Sequence, residues 1–210
     1  GNAIVGGGLP MAVGLALADR MSGRDRVTVC FFGEGAMAEG EFHESINLAA
    51  VWGLPVLFVC ENNLYAMGTA LARSESETNL SVKAAAYEVP AWSVDGMDVR
   101  AVAATAVRAV EAIRAGGGPH FLEARTFRFR AHSMFDPERY RERSEVDAWK
   151  EHDPIQSLRD RMTAEGVLTD ADVEAMESEI GAIVDDAAAF AESSPDEDVA
   201  DLELFVHSPD

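Results

Sequence analysis

Two short apolar runs, joined through a glycine turn and a helical pattern, constrain the fold most. Residues 27–32 and 56–60 contain almost no polar side chain, which is typical of parallel strands covered by helices on both faces. Between them, the turn Gly33-Glu34-Gly35 precedes apolar residues at helical spacing, and Gly53 ends that helix. This order of strand, helix and strand predicts a βαβ unit, in which residues 27–32 are buried on both faces.

The same alternation continues along the chain. After a glycine-rich loop over residues 1–10, helices are expected from Pro10 to about Met21 and over residues 98–115, about 154–165 and 171–192. Further strands are expected at residues 92–94 and 120–126, and residues 127–144 form an Arg-rich irregular stretch. The sequence therefore predicts a parallel-sheet α/β domain with helices on both faces over residues 1–144, and an acidic helical extension over residues 145–210.

Charge and cysteine content exclude several classes of function. The net charge is −20, and residues 145–210 carry −17 of it, from 20 acidic and three basic residues. Such a surface repels nucleic acid and anionic lipid, so neither partner is expected. The longest uncharged apolar stretch, residues 46–60, is too short to span a bilayer. Cys30 and Cys60 lie in apolar runs, which indicates buried reduced thiols in an intracellular, reducing compartment.

Polar residues follow both apolar runs, where strand ends form ligand sites in parallel sheets. Glu34 lies in the glycine turn after the first run, and Asn62-Asn63 follow the second. Backbone N–H groups in such a turn bind anions, while carboxylate and carboxamide oxygens suit Mg²⁺ shared with a phosphate. The residues thus indicate a Mg²⁺–diphosphate site. Alternatively, Glu34 is an acid in the first turn of a helix, and the asparagines form a turn that tolerates left-handed backbone.

Longer stretches carry a family resemblance. Gly33-Glu34-Gly35, a spacer of 26 residues and Asn62-Asn63 resemble the thiamine diphosphate fingerprint. The blocks GNAIVGGGLP, FFGEGAMAEGEFHESINLAAVWGLPVLFVCENNLYAMGT, VDGMD and FRFRAHSMFDPERYR, followed by EHDPI, are similar in order to alpha subunits of thiamine-diphosphate-dependent 2-oxo acid dehydrogenases, above all those acting on pyruvate. The resemblance implies the thiamine diphosphate-binding fold, with thiamine diphosphate and Mg²⁺ as cofactors.

The resemblance also implies particular site residues. The Mg²⁺ ligands are expected to be the side chains of Glu34 and Asn63 and the backbone carbonyl of Tyr65. The other matched residues are expected to bind the cofactor: Gly35 and Ala36 at the diphosphate, Ala3 and Val5 at the aminopyrimidine ring, and His132. His132 is also expected to be catalytic, on a loop that closes over cofactor and substrate.

Three departures from the family pattern bear on this expectation. Glu34 stands where the family usually has aspartate, so we expect a shifted or weaker metal site. Ala131 replaces a glycine before His132, which would strain the loop if its φ were positive. The upstream segment with the family's Tyr-Arg diphosphate contacts is absent, so either the sequence is a fragment or another chain supplies those groups.

The activity that the resemblance implies is that of an oxidoreductase: oxidative decarboxylation of pyruvate with acyl transfer to a lipoyl group. The expected partners are a beta subunit in an α₂β₂ heterotetramer, which completes the active site, and a dihydrolipoyl acyltransferase core. The expected compartment is the cytoplasm of a bacterium or the mitochondrial matrix. Acetoin or branched-chain 2-oxo acid dehydrogenase alpha subunits remain alternatives, as does a catalytically silent scaffold or fragment.

The Arg-rich stretch has two readings. Its arginines, balanced by nearby acids, could form a solvated loop, or they could bind the diphosphate or a substrate carboxylate, because Arg forks match such oxygens. No single arginine can be assigned from the sequence; the group comprises Arg125, Arg128, Arg130, Arg139, Arg141 and Arg143.

Overall fold

A computed structural model describes residues 4–204 and residue 206 of the chain. The chain divides into two compact units, Gly1–Leu158 and Arg159–Asp210. The division predicted at residues 144/145 as a boundary between a cofactor-binding domain and its extension remains a prediction.

Unit one is built on a parallel sheet. The strands, in chain order, are β1 (Thr28–Gly33), β2 (Val56–Asn62), β3 (Tyr65–Ala66), β4 (Thr69–Ala70), β5 (Ala91–Asp95) and β6 (His120–Arg125). The main sheet has the order β1-β2-β6-β5 with every neighbouring pair parallel, whereas β3 and β4 form a separate antiparallel hairpin. The predicted α/β class and parallel sheet are confirmed.

Eight α-helices complete the described fold: α1 (Gly8–Met21), α2 (Gly40–Val51), α3 (Leu71–Ser74), α4 (Leu80–Ala85), α5 (Val99–Ala112), α6 (Arg143–Lys150), α7 (Pro154–Ala164) and α8 (Asp170–Ser193). The expected long helices are confirmed to within a few residues. The sequence analysis did not identify α3, α4 and α6, because helices of four to eight residues are too short to show a hydrophobic period.

Helices cover both faces of the sheet, as predicted. On one face, α1, α2 and α4 bury apolar side chains together with Phe58 and Phe121 of the central strands. On the other face, Ala109 of α5 and Ile113, which directly follows α5, pack against residues of β2 and β6. The Asp98 side chain begins α5 by accepting from the backbone N–H groups of Arg100 and Ala101.

The expectation for β1 was wrong in one respect. Its side chains on the α1 and α2 side are buried, but Val29 and Phe31 on the other side are 43% and 66% exposed. The reason is that β1 is an edge strand, and α5 packs against β2 and β6 on that face. An apolar run therefore indicated a strand correctly and its burial incorrectly.

Unit two contains α8, which begins with a capping box. The Thr169 side chain accepts from the N–H of Asp172, and the Asp172 carboxylate accepts from the N–H of Thr169. The apolar side chains of Met176 and Ile180 on this helix are exposed. Among the described residues, no helix is long and apolar enough to cross a membrane.

Candidate functional site

The ends of β1 and β2, which are followed by the predicted ligands, lie side by side at the carboxyl edge of the sheet. Parallel pairing sets Gly33 of β1 opposite Glu61 of β2, so the residues that follow are neighbours. The backbone N–H of Asn63 donates to Oε2 of Glu34 at 3.2 Å. The glycine turn predicted around Glu34 continues into a 3-10 helix, Glu34–Ala38, and α2 starts only at Gly40. The neighbouring strand ends were predicted, whereas the 3-10 helix was not.

Glu34 is a buried carboxylate that is only partly satisfied. It is 2% exposed, and among the described residues its Oε1 is the buried side-chain oxygen or nitrogen without a hydrogen-bond partner. Burial raises the pKa of Glu34, while backbone N–H groups and the positive charge of Arg128 oppose that rise. A buried anionic oxygen without a partner is costly, and a cation at this position would offset the cost.

The turn after β2 carries the other predicted ligands. Oδ1 of Asn62 accepts from the N–H of Leu64 at 3.0 Å, and Leu64 takes the left-handed φ of 72°. Oδ1 of Asn63 accepts from the N–H of Tyr65 at 3.3 Å. These contacts fold residues 62–65 into a tight turn beside Glu34. The three predicted metal ligands thus lie in one region.

An open cleft of about 840 Å³ lies over this region. Most of the predicted site residues line it: Val5, Glu34, Gly35, Ala36, Asn63, Tyr65 and His132. Ala3, the remaining predicted residue, lies outside the described residues.

Gly35 lies where the turn and the hairpin come closest. A Cβ on Gly35 would be 2.6 Å from the Cβ of Ala66 in β3, so no larger residue fits without movement. Gly35 and Ala36 also line the cleft, and the first N–H groups of a 3-10 turn have no partner within the turn. Gly35 and Ala36 can therefore offer backbone N–H groups to an anion.

His132 lines the cleft and is exposed. Nη1 of Arg128 lies 3.4 Å from Nδ1 of His132. A guanidinium can only donate, so in this contact Nδ1 accepts and the ring proton is on Nε2. Ala131 has no positive φ, so the strain considered for its replacement of glycine does not arise.

Asp136 organises the loop that carries His132. Its carboxylate accepts from the His132 N–H at 2.9 Å, the Tyr140 hydroxyl at 2.6 Å and the Glu138 N–H at 2.9 Å. These bonds, with that from Tyr140 the largest contribution, lower the pKa of Asp136 from 3.8 to about 2. The loop is thereby closed on itself, and the orientation of the His132 backbone is defined.

Arg128 connects this loop to the β3–β4 hairpin. Its Nη2 donates to the Met67 carbonyl at 2.7 Å and the Tyr140 hydroxyl at 2.9 Å, and its Nη1 reaches the Tyr65 carbonyl at 3.5 Å. The sequence analysis left Arg128 unassigned among six arginines and did not identify Tyr140. The only sequence signal was local charge and aromatic content, which does not distinguish one arginine from the next.

The remaining arginines separate into different roles. The Arg141 side chain is 1% exposed, donates to the carbonyls of Arg128 and Phe129, and pairs with Glu138. Arg143 is 93% exposed at its side chain. Arg141 therefore stabilises the loop internally, and Arg128 is the arginine that lines the cleft.

The donor set in the cleft suits a hard cation. It combines one carboxylate, one carboxamide and one backbone carbonyl, all of them oxygen donors, which is the chemistry of Mg²⁺ sites completed by phosphate oxygens. In residues 4–204 and 206, no group of three or more His, Cys, Asp and Glu side chains is positioned to hold a metal ion. The orphaned Oε1 of Glu34 and the backbone of Gly35 and Ala36 at the cleft fit a metal-bound diphosphate.

Comparisons with known proteins agree with the motifs. The sequence model of the family described as "Dehydrogenase E1 component" matches residues 1–200. The chain is 45% identical over 203 residues to the pyruvate dehydrogenase E1 component subunit alpha of Rhizobium meliloti, covering 96% of this chain and 58% of that protein. It is 44% identical over 208 residues to the protein of the same name from Zymomonas mobilis, covering 99% and 58%.

A solved structure described as a thiamin diphosphate-dependent enzyme from Mycobacterium smegmatis aligns with 60% of this chain and 23% of its own, at 29% identity. Its TM-score of 0.49 is too low for the folds to be compared. The chain spans 58% of the length of each of the two bacterial relatives. Because the family model covers nearly the whole sequence, the chain belongs to the dehydrogenase E1 component family.

Proposed function

We propose that the chain is part of the alpha subunit of a 2-oxo acid dehydrogenase, acting on pyruvate with thiamine diphosphate and Mg²⁺. The observation that carries this proposal is the buried, unpartnered Oε1 of Glu34 in the cleft that Asn63 and Tyr65 also line. Pyruvate is favoured over acetoin and branched-chain 2-oxo acids because the relatives compared above are named for pyruvate.

In this proposal Glu34, Asn63 and the Tyr65 carbonyl hold Mg²⁺, and the backbone of Gly35 and Ala36 binds the diphosphate. Val5 lines the cleft and, with Ala3, would contact the aminopyrimidine ring. The cofactor-binding domain is proposed to comprise residues 1–144. When bound, thiamine diphosphate supplies the carbon nucleophile and the electron sink needed for loss of CO₂ from a 2-oxo acid.

The residues of this chain bind, orient and donate hydrogen bonds. His132 holds a proton at Nε2 in its contact with Arg128, and this N–H can donate a hydrogen bond to an anionic substrate oxygen in the cleft. Arg128 adds a positive charge to the same wall, which favours an anionic substrate. Asp136 keeps the His132 loop closed.

The proposed assembly is an α₂β₂ heterotetramer, with a beta subunit that completes the active site and a dihydrolipoyl acyltransferase core that receives the acyl group. The proposed compartment is the bacterial cytoplasm or the mitochondrial matrix. The free, buried state of Cys30 and Cys60 agrees with a reducing compartment.

Reconstitution tests the proposal directly. The full-length alpha subunit that contains this chain is titrated with thiamine diphosphate, with and without Mg²⁺ and with and without its beta partner. The assembly is then assayed on pyruvate, 3-methyl-2-oxobutanoate and acetoin. We expect Mg²⁺-dependent binding and turnover of pyruvate only in the mixture. No binding by subunits that demonstrably associate would instead favour a silent scaffold, and turnover by the alpha subunit alone would reject the shared site.

A further inference from the structure

We propose that Glu123 is a positioning residue for the metal-binding turn, a role that rests on the proposed function. Glu123 lies in β6 and is 1% exposed, and it does not line the cleft. Oε1 of Glu123 accepts from Nδ2 of Asn62 at 2.8 Å. Asn62 is itself 3% exposed and immediately precedes the predicted ligand Asn63.

The contact with Glu123 fixes the orientation of the Asn62 amide. A carboxylate accepts hydrogen bonds and, when ionised, cannot donate them. Glu123 therefore selects the NH₂ end of the Asn62 side chain, since the opposite flip would bring Oδ1 of Asn62 against a carboxylate oxygen. The selected flip leaves Oδ1 of Asn62 to accept from the Leu64 N–H at 3.0 Å.

The orientation of the Asn62 side chain in turn supports the backbone of residues 62–65. Leu64 takes a φ of 72°, which a leucine rarely adopts without local support. The bond from its N–H to Asn62 provides that support and closes the turn of residues 62–65. On this turn, the N–H of Asn63 reaches Glu34 and the carbonyl of Tyr65 lies beside the cleft. The opposite orientation of the Asn62 amide would therefore move both predicted ligands on this turn, Asn63 and the Tyr65 carbonyl.

Among the described residues, the buried carboxylate of Glu123 has one short contact, which is with Asn62. Burying a carboxylate is costly unless it is well paired. Its other contacts are longer: the Ser81 hydroxyl donates to Oε2 at 3.4 Å, and Nε of Arg125 lies 3.7 Å from the same oxygen. The short bond to Asn62 is thus the main contact of Glu123, and buried polar pairs of this kind select one conformation among several. Partners that orient ligands commonly affect metal affinity strongly.

The test uses the full-length alpha subunit with its beta partner, and the measured quantity is the Mg²⁺ concentration for half-saturation of thiamine diphosphate binding. We expect Glu123→Ala to raise it by about 10- to 100-fold. Glu123→Gln keeps an oxygen that accepts from Asn62, so its half-saturation should stay within about threefold of wild type. The rescue by Gln separates positioning from a requirement for negative charge.

Two matched controls separate positioning from general destabilisation. Ser81→Ala removes the longer contact of Glu123 and leaves the one to Asn62, so the Mg²⁺ requirement should not change. Leu122→Ala truncates the neighbouring buried residue, whose side chain packs on the opposite face of the sheet. It should lower the stability of the fold and leave the half-saturation within about twofold of wild type, because sites without shared partners act independently.

A second measurement needs no cofactor. Hydrogen exchange at the Leu64 amide is followed in the full-length protein, and Glu123→Ala should speed it by about tenfold, the effect of losing one ordinary hydrogen bond. If wild type shows no Mg²⁺-dependent binding, the proposed function fails, while this measurement still decides whether Glu123 holds the turn.

The proposal is overturned if folded Glu123→Ala has wild-type half-saturation and wild-type exchange, or if Glu123→Gln behaves like the alanine variant. Should Glu123→Ala not fold, Glu123→Met retains the side-chain length and takes its place. Failure of both to fold would make Glu123 a residue required for the core and would reject the positioning role.

Discussion

The N–H of Asn63 donates to Oε2 of Glu34 at 3.2 Å, across the ends of two adjacent parallel strands. Through this bond the strand ends are joined at the residue whose other oxygen, Oε1, is buried without a hydrogen-bond partner. The arrangement leaves Oε1 available to the Mg²⁺ that we propose, which motivates a test at Glu34.

Glu34→Gln keeps the size of the side chain and removes its charge. We expect Mg²⁺-dependent binding of thiamine diphosphate to weaken at least about tenfold, or about 1.4 kcal/mol, because an amide is a poorer Mg²⁺ ligand than a carboxylate. The urea midpoint of the cofactor-free protein should not fall, since a buried charge is removed. Glu34→Asp is the control, and it should retain Mg²⁺ dependence. Wild-type Mg²⁺ affinity in the Gln variant would contradict the assignment.

Gly35→Ala should destabilise the folded protein. The added methyl group would be 2.6 Å from Cβ of Ala66, so the turn or the hairpin must move, at a cost of about 1–3 kcal/mol. Gly33→Ala is the matched control, because a Cβ at Gly33 meets nothing within 4 Å. Urea denaturation of both variants checks the prediction. Equal stability of the two would show that the turn or the hairpin accommodates the added methyl group without cost.

His132→Ala should impair turnover more than cofactor binding. In the proposed role, His132 donates a hydrogen bond to an anionic substrate oxygen, and loss of such a donor commonly lowers kcat by about 10²- to 10³-fold. The affinity for thiamine diphosphate, measured calorimetrically on the reconstituted assembly, should change much less. Met134→Ala, at a position that is 97% exposed on the same loop, is the control and should have little effect on kcat. An unchanged kcat for His132→Ala would exclude the catalytic role.

The closure of the His132 loop should be insensitive to pH above about 4. The pKa of Asp136 is lowered from 3.8 to about 2 in the folded protein, so the opened loop binds the proton more readily than the closed one. The contribution of Asp136 is therefore fully present above its ordinary pKa and is lost as pH falls toward about 2. NMR titration of the Asp136 carboxyl carbon measures the folded pKa.

Asp136→Asn tests the same contact at neutral pH. It removes the negative charge of the carboxylate that accepts hydrogen bonds from the Tyr140 hydroxyl and the His132 N–H. The loop should therefore open more often, and trypsin should cut faster after its arginines. Met134→Ala again serves as the control, with unchanged cleavage. An Asp136 that titrates near 3.8, or an Asn variant as resistant as wild type, would show that these bonds do not close the loop.

Much of the fold followed from hydrophobic pattern, and the exceptions have identifiable causes. The long helices and the four strands of the main sheet were predicted because periodicity is a local property of the sequence. The exposure of Val29 and Phe31 was missed because their cover depends on strand order, which places β1 at an edge. The short helix α4, which brings Ser81 to Glu123, leaves too little pattern to detect.

The candidate site divides in the same way. The sequence by itself determined the residue types at the two strand ends, Glu34 and Asn62-Asn63, and the parallel connection that makes such ends neighbours. Only the tertiary structure decided that Oε1 of Glu34 is buried without a hydrogen-bond partner, that Arg128 rather than Arg141 lines the cleft, and that Glu123 contacts Asn62. These contacts join residues distant in sequence, and their strength depends on burial and direction, which spacing along the chain does not encode.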